Sequence, residues 1–179
     1  TAEQGTALHV SDAYHDFTFP FDTWFPVHFD IDLDNDAISL TIDGTEVHSW
    51  AFSEQESSAT PGMRVLDALD FYPPTNASTS VFYIDDFSFV SSQEDQVLLF
   101  EPFEDYTVGN HIAEEAIAHG YDHWTTWNNH PGTTEDGLVA EQGGSICGQI
   151  SGVADNVLLL GDEENGNSDL EFDILDLEG

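Results

Sequence analysis

The chain has 179 residues, 40% of them hydrophobic and 12% aromatic, which is enough apolar material for a packed core. Its charge is lopsided: 36 acids stand against one base, Arg64, for a formal net charge of −35. A nucleic-acid binder relying on its own cations is excluded, because phosphate contacts need Lys and Arg, and an anionic membrane surface or a phosphate-bearing substrate is equally disfavoured.

No apolar run approaches the about 20 residues of a membrane span, and no charged, apolar, small-residue leader is present. Carboxylates at this density repel one another in a compact state unless salt screens them or divalent cations bind. Calcium, a hard ion that prefers carboxylate and carbonyl oxygens, is therefore an expected ligand. A merely solubilising acidic surface is the plainer alternative. Cys147 is the lone cysteine, so no intrachain disulfide is expected, and it reads as a small buried hydrophobe.

Strand patterns follow one another along the chain. Residues 25–33 alternate, with Phe25, Val27, Phe29, Ile31 and Leu33 on one face and His28, Asp30 and Asp32 on the other. Residues 37–42 and 45–52 flank Asp43-Gly44, a tight-hairpin signal because the turn demands positive φ. After a polar loop over residues 53–62 come strands expected at 65–72 and 80–90, with Pro73-Pro74 stopping the first. Further strands are expected at 97–103, 122–127, 137–140, 145–151, 156–160 and 169–174, and one short helix at 111–119. Many short strands separated by Gly, Pro, Asn and Asp indicate an all-β, antiparallel two-sheet sandwich. The polar break at residues 92–95 divides the chain into a first part, 1–91, and a second, 96–179.

Two sets of residues carry a resemblance. Asp22-Thr-Trp-Phe25, Leu40-Thr-Ile-Asp-Gly44, Trp50, Leu69-Asp-Phe-Tyr72 and Tyr83-Ile-Asp-Asp-Phe-Ser-Phe89 resemble the closing half of a concanavalin-A-like or laminin-G-like jelly-roll. Phe100-Glu-Pro-Phe-Glu-Asp-Tyr-Thr-Val-Gly109, Trp124-Thr-Thr-Trp-Asn128 and Glu135-Asp-Gly137 look like the same domain's opening. Together they are similar to repeats of large secreted cell-surface proteins of marine gliding bacteria. The halves stand in permuted order, so residues 1–91 read as the C-terminal half of one sandwich and 96–179 as the N-terminal half of the next. Three resolutions remain open: the halves close on each other within one chain, they complete neighbouring copies head to tail, or the segment is cut from a tandem array. Neither half covers its own apolar sheet, and strands from neighbouring chains or repeats are the expected completion.

The resemblance implies an extracellular structural or adhesive protein without enzymatic activity. Its partners are copies of itself or adjacent repeats. It also implies a structural calcium ion between a glutamate near the first strand and aspartates in the last, here Glu104 with Asp85 and Asp86. A carbohydrate-binding module is the alternative. Trp24, Trp50, Trp124 and Trp127 are all flat apolar platforms, and Trp124 and Trp127 are the candidates for stacking on a polysaccharide. Residues 171–176, Glu-Phe-Asp-Ile-Leu-Asp, resemble the catalytic strand of laminarinase-type hydrolases, but they read as a strand burying Leu170, Phe172 and Ile174 with its acids outward rather than as a catalytic one. Residues 30–36, rich in aspartate, read as the wet face of a strand entering a turn rather than a calcium loop, and His119, His123 and His130 as ordinary loop histidines rather than a zinc set.

Overall fold

The computed structural model describes residues 3–10, 13–19, 23–54, 60–71, 82–91, 96–121, 123–141, 156–160 and 170–174. The expected strand at 145–151, Cys147, Pro73-Pro74 and Asp176 lie outside them. Among the described residues the protein is mostly β with one short helix, and every strand pairing is antiparallel. Among the described residues no helix is long and apolar enough to cross a membrane. The described residues form two compact units, one up to Val65 and one from Leu66 onward.

In the first unit, β1 (Glu3–Val10) pairs with β2 (Ala13–Phe19). A separate meander joins β3 (Val27–Asp32), β4 (Ala37–Ile42) and β5 (Thr45–Trp50) in the order β3-β4-β5. The β4–β5 turn is the expected one: Asp43 and Gly44 both have positive φ, 48° and 73°, the mirror-image geometry that matches the twist of the flanking strands. Register puts Val27 opposite Ile42, Phe29 opposite Leu40 and Ile31 opposite Ile38, so the apolar residues share one face. Burial separates centre from edge. Leu40 and Ile42 on the central strand are buried, whereas Val27 and Phe29 on the edge strand are 53% and 49% exposed.

The aspartate-rich stretch after β3 is a turn held by its own side chains. Asn35 donates to Asp32 through its backbone N–H at 2.9 Å and its amide at 2.6 Å. Asp36, at φ 56°, accepts the Ser53 N–H and hydroxyl, each at 2.8 Å. Arg64 donates to the carbonyls of Leu33 and Asp34 at 3.1 and 2.9 Å, so the chain's single base ties down this turn. Asn35's side-chain donor holds the Asp32 carboxyl below its usual range, and the Ser53 N–H, seconded by the hydroxyl, does the same for Asp36. A carboxylate whose folded pKa lies below its unfolded value of 3.8 stabilises above that value and loses its contribution as pH falls through the folded pKa. Protection of the Ser53 amide, taken relative to its intrinsic exchange rate at each pH, is therefore expected to be full at neutral pH and to fall below about pH 3.8. In Asp36→Ala that protection should be low at every pH, and unchanged protection in that variant would remove Asp36 from the account.

The second unit holds β6 (Ala68–Phe71), β7 (Phe82–Ile84), β8 (Phe87–Ser91), β9 (Gln96–Glu101), α1 (Ile112–His119), β10 (Trp124–Thr126), β11 (Leu138–Glu141), β12 (Asn156–Leu160) and β13 (Leu170–Asp173). Its strands form the sheets β10-β13-β6 and β11-β12-β7 and the pair β8-β9. One core serves them all, built from Phe103, Trp124, Leu158, Leu170, Phe172 and their neighbours, with Leu69, Phe71, Ile84, Phe87 and Leu99 packed against it. On β13, Leu170 and Phe172 are buried, as is Ile174 just beyond it, which is the plain strand reading of that segment.

Two expectations change here. The single strand expected at 80–90 breaks at Asp85-Asp86: Asp85 Oδ1 accepts the Asp86 N–H at 2.8 Å and Asp86 takes φ 51°. Short polar side chains tolerate this left-handed corner, and it sends β7 to β12 and β8 to β9. The second change concerns completion. Strands β6, β7 and β8 from the first expected half pair with β13, β12 and β9 from the second. The strands on the two sides of residues 92–95, β8 and β9, are hydrogen-bonded to each other. In this chain these strands take their partners from the same chain, because each half offers an apolar face that the other's strands cover.

Candidate functional site

Of the carboxylates singled out for calcium, Glu104 reaches the start of β12. At the end of β9, Glu101 is buried and accepts the Phe103 N–H at 2.9 Å, the Tyr106 hydroxyl at 2.8 Å and the Trp124 indole N–H at 3.5 Å. Burial, reinforced by the Glu101 carboxylate, pushes the Tyr106 hydroxyl well above its usual range, so it stays a donor. Phe103, at φ 61°, is fully buried, and this anchored bend leaves Glu104 at the surface. Glu104 Oε1 accepts the Asn156 N–H at 3.2 Å, while the Asn156 amide donates to the Tyr106 carbonyl at 2.9 Å. On the other side of β12, Ile84 pairs with Leu158, and Asp85 and Asp86 follow it at the corner that leads into β8. Glu104 and the two aspartates therefore lie in the same unit.

The donor chemistry there suits calcium, which takes several carboxylate and carbonyl oxygens. Among the described residues, however, no three His, Cys, Asp or Glu side chains are gathered closely enough to hold a metal ion. The same holds for the histidines. His119 stacks on Tyr106 with ring centroids 5.9 Å apart, and His130 Nδ1 lies 3.5 Å from Glu135 Oε2, on a different loop position.

The two candidate tryptophans have opposite fates. Trp124 is 1% exposed, with Phe172 at 5.0 Å, Phe87 at 5.9 Å, and Phe71 and Phe103 each at 6.1 Å between ring centroids. Its assignment to sugar binding is therefore corrected: both ring faces are used by the core, and no sugar reaches them. Trp127 is 64% exposed. The reason is local, since Trp124 and Thr126 point inward on β10, the strand ends at Thr126, and the following residue leaves on the loop.

Measured against family models, curated proteins and solved structures, the chain matches none of them.

That loop, running to β11, is held by a residue the sequence reading passed over. Asp136 is buried and accepts the N–H groups of Ala113 at 3.0 Å, Glu114 at 3.1 Å and Gly132 at 2.9 Å. The first two open helix α1, whose own N-cap, His111, makes no side-chain capping bond. A carboxylate from 22 or more residues away thus does the capping that Ser, Thr or Asp at the cap position performs locally. Burial raises its pKa despite the three donors. Glu101 was equally unforeseen. Both acids sit within motifs quoted for the resemblance, and the signal that marks them is an acid flanked by residues that pack inward.

Proposed function

We propose that the chain is a structural or adhesive module of an extracellular acidic surface protein. In this reading it forms jelly-roll sandwiches that join head to tail by strand complementation, and calcium stiffens the joint. The observation that carries the proposal is the pairing of β6 with β13, β7 with β12 and β8 with β9. In this reading the strands that would close a jelly-roll and those that would open one are mutually complementary. Pairing them between copies repeats the same hydrogen bonds and the same buried faces, which is the condition for exchange between protomers. Such a heterologous contact propagates when its rotation does not close. The half-exposed edge strand β3, with Val27 and Phe29, adds an unprotected apolar margin, and no lysine anywhere in the chain guards it.

Glu104, Asp85 and Asp86, which do not form a gathered set by themselves, are the carboxylates that an ion would have to draw together. Bound there, calcium supplies positive charge that turns mutual repulsion between segments into a staple. Calcium at about a hundred times its dissociation constant stabilises by about 2.7 kcal/mol. That corresponds to a rise of roughly 5–10 °C in thermal midpoint for a chain of this size. The expected result is such a rise in calcium over sodium chloride of equal ionic strength, reduced in Glu104→Gln and in Asp85→Asn. A midpoint that follows ionic strength alone discards the ion and leaves simple screening. For assembly, light scattering should report masses above 19.7 kDa that grow with protein concentration. A constant 19.7 kDa over the whole accessible range, with and without calcium, sinks head-to-tail joining.

A further inference from the structure

The β8–β9 ribbon has two unlike faces. Phe87, Phe89 and Leu99 pack against the core, and Glu101, opposite Phe87, is buried. Strict alternation would send Val97 inward as well, two residues before Leu99. The register slips instead: Phe89 pairs with Leu99 but Val90 pairs with Val97, so Leu98 is the extra residue of a bulge. The bulge turns Val97 outward across from Val90, and Ser88 and Phe100 form the neighbouring outward pair. Val90, Val97 and Phe100 are 51%, 56% and 55% exposed, and among the described residues the two strands pair only with each other. Carboxylates bracket the ribbon in chain order. Asp85 and Asp86 lead into β8, Glu94 and Asp95 stand between the strands, and Glu104 follows β9. The chain has no lysine to set against them, and its one arginine is bonded into the turn after β3.

We propose that the outward face of β8–β9 docks a cationic amphipathic segment of another protein, whose apolar side chains cover Val90, Val97 and Phe100 while its Lys and Arg meet the flanking acids. Charge decides the occupant. A second copy brings the same net charge of −35 to the contact, and an anionic bilayer is repelled in the same way. A basic segment is drawn in by the field of the whole chain. Attraction supplies the rate of encounter and the choice of partner, and burial of the three side chains supplies the hold. The bulge serves that role, since it re-aims an apolar side chain from the core to the docking face. The inference goes beyond the assembly proposed above and is independent of it, because the same two strands form this face whether they pair within a copy or between copies.

The test is fluorescence anisotropy of labelled peptides titrated with the whole chain at physiological ionic strength, below the concentration at which scattering detects oligomers. Three peptides of equal length are compared: one of Leu and Lys, one of Ser and Lys with the same charge, and one of Leu and Glu. Expected is binding of the Leu-Lys peptide about tenfold tighter than the Ser-Lys peptide, and none of the Leu-Glu peptide. Val97→Ser and Phe100→Ser should each weaken Leu-Lys binding about five- to tenfold, as covering a half-exposed side chain implies, and leave Ser-Lys binding unchanged. Ile117→Ser, about equally exposed on α1, should change neither. Each variant should keep the parent's thermal midpoint, and either of the two ribbon variants suffices for the comparison. The proposal is overturned by equal affinity for the Leu-Lys and Ser-Lys peptides, which leaves charge alone, or by Leu-Lys binding that neither ribbon variant weakens. It is overturned as well if phosphatidylcholine vesicles bind the parent and not Phe100→Ser, which makes a bilayer the occupant. Oligomers of the parent that Phe100→Ser abolishes make a second copy the occupant and overturn it too.

Discussion

Replacing Asp136 with alanine is expected to destabilise the second unit by about 3 kcal/mol, seen as a drop of roughly 6–12 °C in its thermal midpoint. Three backbone donors lose their acceptor at once: two at the start of α1 and one at Gly132. A hydrogen bond to a charged group contributes about 1.5–3 kcal/mol, and losing a helix N-cap costs about 0.5–2 kcal/mol. Some of this is recovered when the loop loosens and water reaches the orphaned N–H groups, which sets the lower total. Asp136→Asn should fall between the two, because its amide keeps one acceptor and turns an NH2 toward the remaining donors. The pH dependence gives the sign. Burial raises the folded pKa above the unfolded 3.8, so this group's contribution is greatest below that value and declines as pH rises through the folded pKa. The deficit of Asp136→Ala relative to the parent should widen between pH 7 and pH 4. For Asp36→Ala, whose carboxyl is held down, the deficit should shrink as pH falls below about 3.8. Denaturation curves at the two pH values decide it, and a pH-independent deficit for Asp136→Ala refutes the burial argument.

The second large effect falls on Trp124. Trp124→Ala should lose about 4 kcal/mol, since removing a buried aromatic side chain costs about 3–5 kcal/mol and the site cannot collapse around so many rings. Phe172 and Phe87 each lose a partner on one face, and Glu101 loses its indole donor. Against total stabilities of about 5–15 kcal/mol this removes from about a quarter to about four-fifths of the margin. Trp127→Ala, only three positions on, should stay within about 0.5 kcal/mol of the parent. Urea titration of the two variants, read by far-ultraviolet circular dichroism, makes the comparison. Equal losses in both would mean that the inward and outward assignment of the pair is wrong. The same contrast separates structure from recognition: the residue that matters for folding is the one no ligand can touch.

Much of the local structure was legible from residue order. Asp43-Gly44 requires a positive-φ turn between two alternating runs, and that is what forms. The alternation of residues 27–32 correctly placed Val27, Phe29 and Ile31 on one face. It could not show that this strand lies at an edge, where the same face stays half exposed. Strands β1 and β2 escaped notice because neither alternates cleanly and no Gly or Pro separates them. Asp85-Asp86 reads as the polar phase of a continuing strand, and only the left-handed turn at Asp86 reveals a corner. The tryptophans fell into the same gap: Trp124 and Trp127 are alike in sequence, and their fates depend on β10 ending at Thr126.

Composition and short-range pattern by themselves determined the acidic character, the dominance of antiparallel strands and the tight hairpin. Each of these depends on forces acting within a few residues or on a simple sum of charges. The choice of strand partners was decided only in three dimensions, as was the burial of Glu101 and Asp136 and the approach of Glu104 to the Asn156 end of β12. A strand's period of two is the same whichever partner it takes. Partner choice rests on which apolar faces fit and on donors and acceptors dozens of residues apart, and neither leaves a trace in local order.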